Sequence, residues 1–170
     1  MRLGTHGRSA VGKLLLVSVA QRIFNVVPYP VLSVSPRAVN PGVLSGNSRG
    51  SCIPQISPWA LPYALSLARV AEAELILLHV AADLSRHEVL QEYYRRLNAL
   101  IPPEARTWCK FDALAITGDR AEAILNAASV QSADLIVISA HGAEGTFNVP
   151  LTTAYQVVAQ AHCPVLRVRT

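Results

Sequence analysis

The sequence predicts an α/β fold built on an open, mainly parallel sheet with helices on both faces. Apolar runs of strand length alternate with capped segments of helix length, the order that produces βαβ units with right-handed crossovers. Two of these runs, Leu75–Val80 and Leu135–Ile138, are almost continuously apolar. Continuous rather than alternating hydrophobicity indicates strands that are covered on both faces. The apolar content of 51%, with 15% charged residues, is consistent with such a sheet.

Capping residues and prolines place the individual elements. Capping boxes, in which two side chains three residues apart satisfy N–H groups of the first helical turn, occur at Ser18/Gln21, Asp119/Glu122 and Thr153/Gln156. A further helix is expected after Ser57, with Pro58 at the favoured first position, and another over Ser85–Leu100. The predicted strands are Val31–Val34, Leu75–Val80, Phe111–Thr117, Leu135–Ile138 and Val165–Val168.

One segment of the chain occurs twice, and this repeat predicts the domain organisation. Gly4–Ser9 leads through a helix-like run to Pro30–Val34, and Ser139–Gly142 leads in the same way to Pro164–Val168. Only the second copy follows a full set of elements. We therefore expect residues 1–35 to be the C-terminal remnant, a helix and the last strand, of a first domain. Residues 36–56, rich in Pro, Gly and Ser, are expected to be a linker or loop, and residues 57–170 a second domain.

Charge and cysteine content argue against several classes of protein. The net charge of +4 is modest and the basic residues are scattered; the pair Arg95-Arg96 lies beside acidic residues on a predicted helix, so no nucleic-acid partner is expected. The three cysteines have no metal-ligand spacing, and their odd number fits a reducing, cytoplasmic setting without a metal site. No apolar run has the length of a membrane span. Arg2, Arg8 and Lys13 before Leu14–Val17 imitate a signal peptide, but the apolar core is short.

The strand-to-helix turn after Leu135–Ile138 is the first candidate binding site. Open α/β sheets bind ligands beyond the carboxyl ends of their strands, where Ser139 and Gly142 lie. Glycine allows close backbone approach, and a helix start favours phosphate; the hydroxyls of Thr152 and Thr153 add possible donors. The corresponding residues of the first copy are Gly4, Gly7 and Ser18. Because such turns are common in α/β folds, a purely structural role is the alternative.

Both copies show parts of one pattern: Gly-x-x-Gly, nine further residues, then Gly followed by Ser or Thr. With the two Pro-Val-Leu strands, this pattern resembles the universal stress protein family over Gly4–Val34 and Pro58–Arg169. The resemblance implies a Rossmann-like fold of the adenine-nucleotide alpha hydrolase type, with a five-stranded parallel sheet. It also implies binding of ATP or another adenine nucleotide in many members, dimerisation through the last strand, and no strong catalytic activity. By this resemblance, Val80 borders the adenine; an ordinary core position is the alternative.

Several residues depart from the family pattern. Val17 replaces a glycine in the first copy, and Ser139 and Thr152 replace glycines in the second. Val17 and Thr152 are β-branched and resist positive φ. The family's first strand ends near an aspartate, whereas Asn40–Ser57 contains neither an aspartate nor a recognisable strand, so the first strand of the main domain is expected to be degenerate or missing.

These observations predict a universal stress protein-like module with weak or vestigial adenine-nucleotide binding and no catalytic residues. A module for interaction or dimerisation, with a decayed ligand site, is the alternative; an enzyme of related sheet architecture and a truncated or frame-shifted copy are further ones. We expect either a homodimer or pairing within the chain of Val31–Val34 with Val165–Val168. His6 and His141 have no partner at a suitable spacing for catalysis, and Gly7–Leu14 imitates a P-loop but ends in leucine.

Overall fold

The computed structural model describes residues 2–4, 23, 26–38, 51–55, 59–81, 84, 87–140 and 151–169. The strands in these ranges are β1 (Arg2–Gly4), β2 (Val31–Val34), β3 (Ser51–Gln55), β4 (Glu74–Ala81), β5 (Phe111–Thr117), β6 (Leu135–Ala140) and β7 (Val165–Arg169). The α-helices are α1 (Leu61–Ala71), α2 (His87–Ala99), α3 (Arg120–Val130) and α4 (Leu151–Gln160), with a 3₁₀ helix at Pro103–Thr107. No helix in these ranges combines the length and hydropathy that a membrane span requires.

The strands form one sheet in the order β1-β2-β7-β6-β3-β4-β5. All neighbours from β7 to β5 are parallel, as the alternation of strands and helices predicts. The chain runs outward from β3 through β4 to β5, and then crosses to β6 and β7 on the other side of β3. The strand order therefore reverses between β3 and β6, which makes this the topological switch point of the sheet.

The central strand β3 corrects the sequence analysis, which assigned residues 36–56 to a linker or loop. Ser51–Gln55 lie between β4 and β6, so the first strand of the main domain is present. It is degenerate in one respect: pairing with β4 occurs at Ser51, Cys52 and Gln55 but skips Ile53 and Pro54. Proline has no N–H and is normally excluded from central strands. The sequence analysis did not identify β3 because its own residues have little preference for a strand. The position is favourable because two apolar strands, β4 and β6, lie on either side of it.

The amino-terminal strands extend the sheet beyond β7. Strand β2 lies antiparallel to β7, with Leu32 opposite Leu166, and β1 lies parallel to β2. These are the two segments, 31–34 and 165–168, for which the sequence suggested pairing. As a result, the edge of β7 is covered by a segment of the same chain.

Two apolar clusters cover the two faces of the sheet. Ile76, Leu78 and Val80 face α3 and α4, whereas Leu75 and Leu77 face α1 and α2. This alternation follows from the two-residue period of a strand. The helix start at α3 is as predicted, because the Asp119 carboxylate accepts hydrogen bonds from the N–H groups of residues 121 and 122, at 3.0 Å and 3.1 Å.

Candidate functional site at the carboxyl edge of the sheet

The carboxyl ends of β3, β4 and β6 meet at the switch point. Gln55, the last residue of β3, is in register with Leu78 of β4 and Ile138 of β6. Val80 and Ser139 follow these two residues along their strands and lie at the same edge. Two of the predicted site residues are therefore brought to the place where open α/β sheets bind ligands.

Val80 and Ser139 nevertheless belong to opposite faces of the sheet. Val80 is 5% exposed and packs with the cluster under α3 and α4. Ser139 is completely buried, and strand alternation places it with Leu135 and Val137 on the face of α1 and α2. Val80 therefore occupies a core position with little side-chain surface left for a ligand, and Ser139 can present only its backbone. Gly142 lies outside the described residues.

Thr152 and Thr153 lie in the first turn of α4. Because α4 begins at Leu151, Thr153 is inside the helix and is not the N-cap that the capping-box pattern predicts. Thr152 is exposed, and the Thr153 side chain is mostly buried at 9% exposure. The first N–H groups of a helix have no partner within it, and the helix dipole adds positive potential there. This turn can therefore bind an anion through its N–H groups and the Thr152 hydroxyl.

The described strands of the first copy, residues 2–4 and 31–34, end at the other edge of the sheet. Gly4 is the last residue of β1, and β1 and β2 run opposite to β7. The carboxyl ends of β1 and β2 consequently point to the opposite edge of the sheet from Ser139. Gly7 and Ser18 lie outside the described residues. Of the three residues that the sequence analysis named in the first copy, only Gly4 is described, and it lies at the opposite edge from Ser139.

His79 is a polar side chain near the candidate site that the sequence analysis did not single out. It is 6% exposed, and its ring stacks on that of Tyr93 of α2, with ring centroids 4.5 Å apart. Burial lowers the pKa of His79 below its ordinary value of 6.5, and the positive charges of Arg120 and Arg96 lower it further. The neutral imidazole is thus favoured at physiological pH. The only signal in the sequence was a histidine interrupting the apolar run of β4.

The histidine, cysteine and acidic side chains elsewhere in the described ranges are the remaining candidates for chemistry. No group of three or more His, Cys, Asp or Glu side chains there is placed to hold a metal ion. Cys109 and Cys163 are buried, and burial raises the pKa of both thiols, that of Cys163 to about 12. Both thiols are protonated at neutral pH and are poor nucleophiles. His6 and His141 lie outside the described residues.

Comparison with known proteins agrees with this architecture. The model of the universal stress protein family matches residues 55–169, and no curated protein matches the sequence. A universal stress protein from Archaeoglobus fulgidus DSM 4304 is similar in structure, with a TM-score of 0.69 and 21% identity. That match covers 99% of this chain and 59% of the other, so this chain spans little more than half the length of that relative.

Two shorter structures are also similar, and both contain nucleotides. A universal stress protein in complex with cAMP has a TM-score of 0.54 and 17% identity, covering 73% of this chain and 99% of the other. The universal stress protein from Archaeoglobus fulgidus in complex with dAMP has a TM-score of 0.53 and 14% identity, covering 71% of this chain and 97% of the other. At these identities the structures establish the shared fold. Since the family model matches more than half of the sequence, the chain belongs to the universal stress protein family.

Proposed function

We propose that this chain is a non-enzymatic universal stress protein module that binds adenine nucleotides weakly at the carboxyl edge of β3, β4 and β6. The observation that carries the proposal is the reversal of strand order between β3 and β6, next to the first turn of α4. The fold provides a crevice at such a reversal. Complexes of similar proteins with cAMP and dAMP support an adenine nucleotide as the ligand.

The proposed site has an apolar end for the base of the nucleotide and a polar end for its phosphate. Val80, on the face of α3 and α4, lies at the apolar end, and its 5% exposure leaves little surface for a base, which is consistent with weak binding. The first turn of α4, on the same face, provides N–H groups and the Thr152 hydroxyl for a phosphate. Gln55 ends β3 near the position where the family resemblance expects an aspartate. The family's aspartate contacts the nucleotide, and the absence of any aspartate from residues 40–57 is a reason to expect low affinity.

The proposal is tested by isothermal titration calorimetry with ATP, dAMP and cAMP. The Thr152→Asp variant adds a negative charge to the first turn of α4, where it stabilises the helix but repels a bound phosphate. At a separation of about 4 Å, the repulsion is about 1 kcal/mol in bulk water and about 4 kcal/mol at a protein surface. We therefore expect affinity to fall at least about fivefold.

The matched control is Thr117→Asp, which adds the same charge at the exposed carboxyl end of the outer strand β5. We expect this variant to keep the affinity of the wild-type protein. Equal loss of affinity in both variants would contradict the proposed phosphate position. Absence of saturable binding to any of the three nucleotides would instead favour the alternative, an interaction module with a decayed ligand site.

We also propose that the protein is cytoplasmic and does not turn over ATP. The raised pKa of the two described thiols, which keeps them protonated at neutral pH, supports this second part. Release of phosphate or pyrophosphate from ATP above the rate in buffer, abolished together with binding in Thr152→Asp, would refute it.

A further inference from the structure

The pairing of β2 with β7 is almost self-complementary. The two strands read Val-Leu-Ser-Val at residues 31–34 and Val-Leu-Arg-Val at residues 165–168, so they differ at one position. In the structure, Leu32 is opposite Leu166, Val31 is opposite Arg167, and Ser33 is opposite Val165. Exchanging the two strands therefore reproduces the same register, with a local twofold axis between the two leucines. This is the symmetry of an isologous interface between identical subunits.

The pairing of β2 with β7 is called the seam below. The one position at which the two strands differ, Ser33 in β2 and Arg167 in β7, lies in a buried part of this seam. Ser33 is 3% exposed and Arg167 is 2% exposed. Val31 and Val165, which flank these residues on the same side of the sheet, belong to the cluster under α3 and α4. Ser33 and Arg167 are diagonal neighbours across the seam, a relationship that places residues about 7–8 Å apart. The seam inside the chain thus contains one guanidinium, with a serine at the symmetry-related position.

Pairing between the β7 strands of two chains would change this arrangement. In the same register, Leu166 would lie opposite its own copy, and each Arg167 would lie opposite Val165 of the other chain. Two guanidinium groups would then be diagonal neighbours on one buried face. Burial lowers the pKa of Arg167, and the charge of Arg169 lowers it further, whereas Tyr155 acts in the opposite direction. A second guanidinium on the same buried face adds repulsion.

We propose that the Ser33–Arg167 difference makes the edge of β7 specific for β2 of the same chain and opposes its pairing with β7 of a second copy. A sheet edge with an apolar, self-complementary register otherwise favours association with identical chains. Ser33 adds no charge beside Arg167 when β2 pairs with β7 of the same chain. When two β7 strands pair, the two Arg167 side chains repel each other. This inference does not depend on nucleotide binding, so its test is independent of the proposed function.

Cysteine cross-linking of the 170-residue chain distinguishes pairing of β2 with β7 from pairing of two β7 strands. The single variant Leu166→Cys places a thiol opposite itself only when two β7 strands pair, whereas Leu32→Cys with Leu166→Cys places two thiols opposite each other within one chain. Directly opposed strand residues have Cα separations suitable for a disulfide. After mild oxidation we expect the double variant to form an internal cross-link at the monomer mass of 18.3 kDa. A covalent dimer of the single variant, absent from oxidised wild-type protein, would overturn the proposal.

A charge-specific test uses two substitutions of similar size at residue 33. Ser33→Arg and Ser33→Met both add volume to the seam, but only arginine adds charge. With Arg167 present, we expect the melting temperature of Ser33→Arg to lie at least about 5–10 °C below that of Ser33→Met, because the new charge is both buried and repelled. Combining each variant with Arg167→Met should narrow this gap by about 5–10 °C, because the repelling partner is gone and only the cost of burying the new arginine remains. Equal melting temperatures for the two variants in the Arg167 background, or a gap unchanged by Arg167→Met, would overturn the role of Arg167.

Discussion

Replacing Ile124 by alanine tests whether α3 is anchored to the sheet as the structure describes. Ile124 is completely buried in the cluster between the sheet, α3 and α4. Truncation removes three carbon atoms, and at about 0.8 kcal/mol for each buried group the lost transfer free energy is about 2.4 kcal/mol. A residual cavity of about 50 Å³ adds about 1.2 kcal/mol. The expected decrease in the free energy of unfolding is therefore about 3.6 kcal/mol, within the usual range for such truncations.

The assay is urea and thermal denaturation followed by far-UV circular dichroism. For a chain of this size, about 3.6 kcal/mol lowers the melting temperature by about 7–14 °C. Ile124→Val should lose only about 0.5–1.5 kcal/mol, because it removes one methylene group. Val130→Ala, on the same helix but 72% exposed, should stay within about 0.5 kcal/mol of wild type. If Ile124→Ala were as stable as Val130→Ala, the packing of α3 against the sheet would be refuted.

Three further predictions concern side chains with defined environments. The pKa of His79 is below 6.5 in the folded protein. Between pH 6.5 and the folded pKa, the unfolded state therefore binds more protons than the folded state, and stability decreases as the pH falls. In His79→Phe, the unfolding midpoint should no longer show this decrease when it is measured against pH. Asp119→Ala should lower the unfolding free energy by about 1 kcal/mol through the lost cap, whereas Asp119→Asn should retain most of it, and equal losses would refute a capping role. The pKa of Cys163 is about 12, so Cys163→Ser should leave the number of rapidly reacting thiols at mildly alkaline pH unchanged in native protein and reduce it by one in denaturant.

The carboxyl-edge site was only partly predictable. Val80, Ser139, Thr152 and Thr153 were identified from the repeat and the family resemblance, and the structure places all four near the ends of β4 and β6 or the start of α4. Their division between the two faces of the sheet, and the separation of Gly4 from them, required the strand register. The sequence analysis did not identify His79 because a single polar residue within an apolar run does not indicate a site. Its stacking on Tyr93 is visible only in the structure.

The sequence by itself determined the alternation of strands and helices, the two buried strands β4 and β6, and the recurrence of Pro-Val-Leu strands. These features depend on apolar periodicity and capping, which act over a few residues. Only the tertiary structure decided that Ser51–Gln55 is the central strand and that β2 lies antiparallel to β7. Both outcomes depend on contacts between residues far apart in the chain: β3 is stabilised by the hydrogen-bonding edges of its two neighbours, and the orientation of β2 is set by its pairing with the edge of β7.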